Sequence, residues 1–479
     1  MSSIVYMKSK NGDKVYVYVN EKTESGYKRR CIGHLDEVTG EIVPNREKGD
    51  SPTVATRSYG INLLLRRISD DMGLTESIQV IFKESWDSIM TLAFYSLCEG
   101  SHITGLERWM EFNETPRMWP LTIDQVNSIL KGVTPERIDS FFKVWNSKMR
   151  NEEYEISSIS TEMTVNKESK NDFEKEFSTE IQVCFGKGSG LPVAYRIHPT
   201  RYRSVIEMKS SFGWMDWLDG TDPLFFFTRE QTREIDTGSI ITSDRPFVLE
   251  LSPKENLFGN ILDRLSIVKN RFSVGVSEYQ TEINGISVNA HILYDPIEAE
   301  LETSRFLDIM QRCKSELDNQ HYVASHSSMY NRYFLFKGRG EPEFNSEEIM
   351  KNNKMAGFRI FLSNVNMDRS EVLGLVEKTD HFRFMFEHLK GDEDTSAIKL
   401  YSSTAIISRY FIQFLTAILG ERLRRMLSEA EMDETVESVL YQMKNLIRVD
   451  RSDRKRPLMS DMNDYQRAII DKLIFPKGG

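Results

Sequence analysis

The chain has 479 residues, enough for roughly three domains of ordinary size. Its hydrophobic content of 39% and charged content of 28% are ordinary for a soluble globular protein, with no low-complexity tract and no internal repeat. The net charge of −10 argues against a nucleic-acid binder that relies on overall charge, although phosphate contact depends on local patches.

The first dozen residues have no continuous apolar run, so no secretory start is expected. No stretch reaches the length of a membrane span, and the most apolar segment, Ala405 to Leu419, reads as a buried core helix interrupted by Ser408, Arg409 and Gln413. Cys31, Cys98, Cys184 and Cys313 are scattered without a Cys-x-x-Cys pair, so neither a zinc site nor a disulfide frame is expected, and a reducing cytoplasm fits. His321 and His326 stand five apart, the wrong spacing for a two-ligand helix turn.

In chain order, residues 1–50 read as a small β unit, with Val15, Val17 and Val19 alternating with Tyr16 and Tyr18. Lys28, Arg29 and Arg30 cluster there, as a solvated strand face or a DNA contact. Residues 51–150 read as helices, a region that suits DNA recognition and equally plain packing. Thr75 is placed to cap a helix running to Cys98, Thr122 and Gln125 have capping-box spacing, and Thr134-Pro135-Glu136 is a helix start.

Residues 151–251 change character. Strands are expected at Tyr154 to Ser160, Thr179 to Phe185 and Pro192 to Ile197. A helix from Arg203 to Leu218 follows, then a strand at Pro223 to Phe227, a second helix, and a strand at Phe247 to Leu251. This order, a meander followed by parallel crossovers, is the one a ribonuclease H-like α/β core requires. Residues 252–368 read as a β-rich insertion. Asn284-Gly285 is its hairpin turn, and Tyr330 to Phe336 and Phe358 to Leu362 are further strands. Residues 369–428 return to helix as the second part of the core, and 429–479 read as a helical tail.

Several segments resemble the DDE transposases of bacterial insertion sequences that carry a Tyr-Arg-Glu-Lys signature. Tyr154-Glu155-Ile156-Ser157-Ser158-Ile159-Ser160 is similar to their first catalytic strand, and Gln182 to Tyr195 to the two strands that follow. The helix from Val376 to Lys390 resembles the signature helix, its positions occupied here by Val376, Thr379, Arg383 and Lys390; Asp380, Phe386 and Leu389 also match. The resemblance implies DNA transposition with DNA as partner, allows a homodimer, and implies no membrane. It also implies two magnesium ions held by three carboxylates, because such ions activate the attacking oxygen and stabilise the leaving one.

At the three acid positions stand Glu155, Thr228 and Arg383. Arg229 is kept after the second, where the family has Asp-Arg-Gly. A guanidinium has no lone pair for a metal, so Glu155 is left as the sole candidate metal ligand and no ion is expected to bind. The implied DNA contacts are Lys390, Arg229, Arg201 and Arg203. Arg422, Arg424 and Arg425, and the run of Arg448, Arg451, Arg454, Lys455 and Arg456, are further basic clusters.

Three readings stay open: a catalytically inactive transposase relative that still binds DNA, an active transposase using displaced acids (Glu230, Glu377 or Glu387), and a host-recruited DNA-binding or interaction protein. Arg383 is also placed to pair with Glu155 where the ions would have been.

Overall fold

The computed structural model describes residues 3–8, 14–23, 26–36, 40–44, 53–100, 103–165, 175–198, 221–232, 235–243, 245–264, 276–336, 342–387, 403–451 and 456–475. The chain divides into two compact units, residues 1–59 with 445–462, and residues 60–444 with 463–479.

The smaller unit is all β. Strands β1 (Ser3–Lys8), β2 (Val15–Thr23), β3 (Gly26–Leu35) and β4 (Ile42–Pro44) form an antiparallel meander. β5 (Thr53–Ser58) pairs instead with β16 (Ile447–Arg451), which also pairs with β17 (Leu458–Met459). The expected helical tail is therefore corrected. Part of it supplies two strands to the N-terminal unit, because the alternating Ile447, Val449 and Arg451 suit a strand edge rather than a helix face. The helical region likewise begins only after β5.

The larger unit opens with helices α1 (Gly60–Asp71), α2 (Leu74–Ile81), α3 (Trp86–Glu99), α4 (Leu106–Phe112), α5 (Ile123–Lys131) and α6 (Pro135–Met149). The capping box on Thr122 and Gln125 is present. Thr75, however, does not cap one long helix. The chain breaks between Phe82 and Ser85 and restarts as α3, and Gly73 in a left-handed conformation precedes α2.

Next come β6 (Tyr154–Val165), β7 (Lys175–Gly186), β8 (Pro192–His198), β9 (Leu224–Phe227), the short α7 (Thr237–Ile241), β10 (Phe247–Glu250) and α8 (Asn256–Arg264). The expected helix from Arg203 to Leu218 lies outside the described residues. β7 pairs antiparallel with both β6 and β8, whereas β9 runs parallel to β6 and β10 parallel to β9. Leu224 to Phe227 is apolar throughout because every residue of β9 is buried, as a strand covered on both faces must be.

The segment expected as a β-rich insertion holds β11 (Val276–Ile283) and β12 (Ile286–Tyr294) around the Asn284-Gly285 turn, both turn residues having positive φ. It is more helical than its sequence suggested, with α9 (Pro296–Asp318), α10 (Ser327–Tyr333) and α11 (Ser346–Met355). Tyr330 to Phe336 is mostly α10. Its aromatic residues face a local core of Met310, Cys313, Leu317 and Phe334, so packing outweighed β propensity. Only Phe334–Leu335, β13, is extended, paired with β14 (Glu343–Phe344). β15 (Phe358–Ser363) closes the insertion, and the sheet order is β11-β12-β15-β10-β9-β6-β7-β8.

α12 (Arg369–Glu387) lies across this sheet. Val372, Leu375 and Val376 meet Leu224, Phe226, Val248 and Phe361, and Phe382 packs edge-on to Phe185 with ring centres 5.8 Å apart. α13 (Ser403–Glu429) is buried on every side from Tyr410 to Leu419, the core helix its composition implied. α14 (Val436–Lys444) and α15 (Asp464–Ile469) complete the unit. Among the described residues no helix is long and apolar enough to cross a membrane.

Gly357, before β15, has φ +74°, and a Cβ there would stand 2.4 Å from the Asp295 carbonyl oxygen. Gly357→Ala is expected to destabilise the larger unit by at least about 1 kcal/mol, because both the backbone conformation and the space exclude a methyl. Equilibrium urea unfolding measures it; an unchanged midpoint would contradict the packing of β15 on α9.

Candidate functional site

The carboxyl ends of β9, β10 and β12 lie along one edge of the sheet, where ligands of such sheets usually bind. A cavity of about 610 Å³ opens there, lined by Arg229 and Glu230 after β9, Glu250 at the end of β10, Asp295, Glu298 and Glu302 of α9 and its cap, Arg359 at the start of β15, and Asp380 and Arg383 of α12.

Its charges form a ladder of alternating sign. Arg229 reaches toward Glu302 (3.9 Å) and Glu250 (3.2 Å). Arg359 pairs with Glu250 (2.8 Å) and Asp380 (3.5 Å), and Arg383 with Asp380 (3.4 Å). Glu250 is 4% exposed. Burial alone would raise its pKa, but Arg359 and Arg229 outweigh burial and hold it below the usual carboxylate range. Asp295 is committed locally: its carboxylate accepts the backbone N–H groups of Ile297 (2.9 Å) and Glu298 (3.2 Å) as the cap of α9.

Of the three family positions, only Arg383 lines this cavity. Thr228 is buried at its margin. Its N–H donates to Gln231 Oε1 (2.9 Å), and Gln231 Nε2 donates to Glu180 Oε1 (2.8 Å), so Thr228 belongs to an internal polar network. Glu155 is registered with Leu224, at the opposite end of β9 from Thr228. Continuing that register, Ile159 rather than Glu155 stands level with Thr228. The structure therefore does not bring Glu155, Thr228 and Arg383 together.

Glu155 instead meets Lys378 of α12, and both are buried. The expected Arg383–Glu155 pairing is replaced by Lys378–Glu155, because Arg383 points along the cavity edge to Asp380. Burial pushes the Lys378 ammonium down, Glu421 pulls it up, and Arg425 and Arg424 add to the depression. The ammonium also sits 5.4 Å from the Phe185 ring centre. One turn of contact further, Ser157 and Thr379 share a buried hydrogen bond of 3.0 Å between β6 and α12.

Arg229 is placed by its pairing with Glu250. Lys390, Arg201, Arg203 and the side chain of Glu387 lie outside the described residues. Arg424 is held by Glu421 (2.8 Å) and Glu377 (3.5 Å), and Arg422 by Glu429 (3.1 Å). The residues that sequence reasoning missed are Lys378, Glu250 and Arg359. Lys378 had a signal: it stands between Leu375 and Phe382 on the apolar side of an amphipathic pattern, where a charge needs a buried partner.

No family model matches the chain, and no curated protein sequence does. Among solved structures it is similar to a piggyBac transposase in a synaptic complex with hairpin DNA, at 8% identity and a TM-score of 0.31, over 80% of this chain and 76% of that one.

Removing one partner of the buried pair should be costly. Lys378→Met leaves Glu155 uncompensated and should cost about 3–5 kcal/mol, whereas Glu155→Gln with Lys378→Met should lie nearer the wild type than either single change. A double-mutant cycle by urea unfolding measures this coupling; additive single effects would contradict it.

Proposed function

We propose that the larger unit is a ribonuclease H-like core related to DNA transposases, that its metal-dependent chemistry has been replaced by internal ion pairs, and that the chain is a DNA-binding protein that does not cut. The strand order β8-β7-β6-β9-β10, with an antiparallel meander followed by two parallel strands, supports the core assignment, as does α12 returning across the sheet after an insertion. The observation that carries the loss of cutting is the ladder at the strand ends. Divalent ions of the magnesium class need several free carboxylate oxygens. Glu250 and Asp380 already face Arg229, Arg359 and Arg383. Bringing in two ions would require displacing guanidinium groups or working against their charge.

Charge distribution supports DNA binding through the smaller unit. Its residues, 1–59 and 445–462, hold fifteen Lys and Arg against eleven Asp and Glu, a surplus of four positive charges; with −10 overall, the remainder carries −14. A basic module on an acidic chain is the pattern expected of local, salt-sensitive phosphate contact. Glu230 is the observation that favours the second reading, an active enzyme with displaced acids. It lines the cavity, and its Oε2 is buried without a hydrogen-bond partner.

Titration of labelled duplex DNA at several salt concentrations, with and without magnesium, tests both readings. Binding is expected at low salt and should weaken steeply as salt rises. Arg29→Ala, Arg451→Ala and Arg456→Ala together should lower affinity for all sequences alike and reduce the salt slope. No nicking is expected. Absence of binding at low salt would overturn the DNA assignment, and magnesium-dependent nicking abolished by Glu230→Gln would establish the displaced-acid reading instead.

A further inference from the structure

About three turns along α9 from Glu302 of the strand-end cavity, Cys313 and Glu316 stand three residues apart, on one face of the helix. Beyond the end of α9, Gln320 adopts a positive φ of 54° and the chain reverses. The His321 N–H then donates to the Glu316 carbonyl (2.8 Å), and a single 3-10 turn, Ala324–His326, brings His326 back over the helix. The ligand atoms of Cys313, Glu316 and His326 all lie within 4.8 Å of one another.

We propose that Cys313, Glu316 and His326 form a binding site for one divalent transition-metal ion of the zinc class. The donor set is a thiol, an imidazole and a carboxylate, each a ligand type that zinc accepts, and three protein ligands leave the fourth position open. A tetrahedral zinc with bonds of about 2.0–2.3 Å sets its ligand atoms roughly 3.5 Å apart, so the trio needs to close by about 1 Å. His326 Nδ1 is already 2.8 Å from Glu316 Oε2. The ion would enter between these two atoms and displace the thiol proton of Cys313 to water.

The surroundings are those of a supported site. The Tyr330 hydroxyl donates to Glu316, and the Val323 N–H donates to the Tyr330 oxygen (3.1 Å), which fixes the carboxylate. Met310, Leu317, Tyr333 and Phe334 wall the inner side around the buried Cys313. His326 and Glu316 stay 29% and 18% exposed, so a fourth position opens toward solvent, where water would complete the tetrahedron. Soft thiolate and imidazole donors select against magnesium, which separates this site from any metal at the strand ends. The expectation of no zinc site came from spacing along the chain. Here a Cys-x-x-Glu pair and a histidine ten residues later become neighbours only through the reversal at Gln320.

The probe is cobalt(II), titrated into the metal-free full chain and followed by absorbance. One equivalent should give a tetrahedral visible spectrum and a thiolate-to-cobalt charge-transfer band, both erased by zinc and untouched by excess magnesium. Cys313→Ser should abolish the charge-transfer band, and His326→Ala should weaken affinity at least about tenfold, the loss that removing a mere supporting group can cause. Cys31→Ser should leave the spectrum unchanged. No charge-transfer band in the wild type, or one that survives Cys313→Ser in a chain with unchanged circular dichroism, would overturn the proposal.

Discussion

A carboxylate removed from water must be paired or hydrogen-bonded, and for Glu155, Glu250 and Glu421 of the larger unit lysine and arginine side chains of the same chain do it. Glu155 and Lys378 tie the central strand β6 to α12, while Glu250 and Asp380 tie β10 to β15 and α12 through Arg359. These contacts join α12 to the sheet at positions flanking its apolar face. An unpaired charge at the buried Glu155–Lys378 pair would cost several kcal/mol, whereas the half-exposed Asp380 is screened by solvent.

The same pairs decide what the strand ends can do chemically. The edge where the parallel strands finish is a concave, polar place, suited to a ligand or a pair of ions. Arg229, Arg359 and Arg383, interleaved between Glu302, Glu250 and Asp380, commit those acids to ion pairs within the chain. Glu250 is held ionised by two guanidinium groups, and Arg383 stabilises Asp380 rather than leaving it free. Glu230 at the same edge keeps a buried carboxylate oxygen without a hydrogen-bond partner, while the surplus of positive charge lies in the smaller β unit.

Much of the sheet was legible in the sequence. The apolar runs at Pro223 to Phe227 and Phe247 to Leu251 are expected as strands and contain the covered strands β9 and β10, and Asn284-Gly285 marks its hairpin. The pairings of Glu155 and Arg383 were not legible, because motif spacing says nothing about strand register. Glu155 lies level with Leu224, one strand length from Thr228. Tyr330 to Tyr333 was misread as strand because aromatic residues favour both strands and helix–helix cores, and only the tertiary partners Met310 and Leu317 decide between them. Strand β16 was missed because its partner β5 is nearly four hundred residues away, a pairing that no local pattern encodes, and β17 is extended only as the neighbour of β16.

The most direct test is the thermal unfolding midpoint of the wild-type chain as magnesium is raised at constant ionic strength. An ion that binds the folded state must raise that midpoint by linkage. If the arginine ladder has taken the place of the ions, the midpoint stays where it is. A saturable rise that disappears in Glu250→Gln would mean that the strand-end carboxylates still hold metal, and would contradict the account.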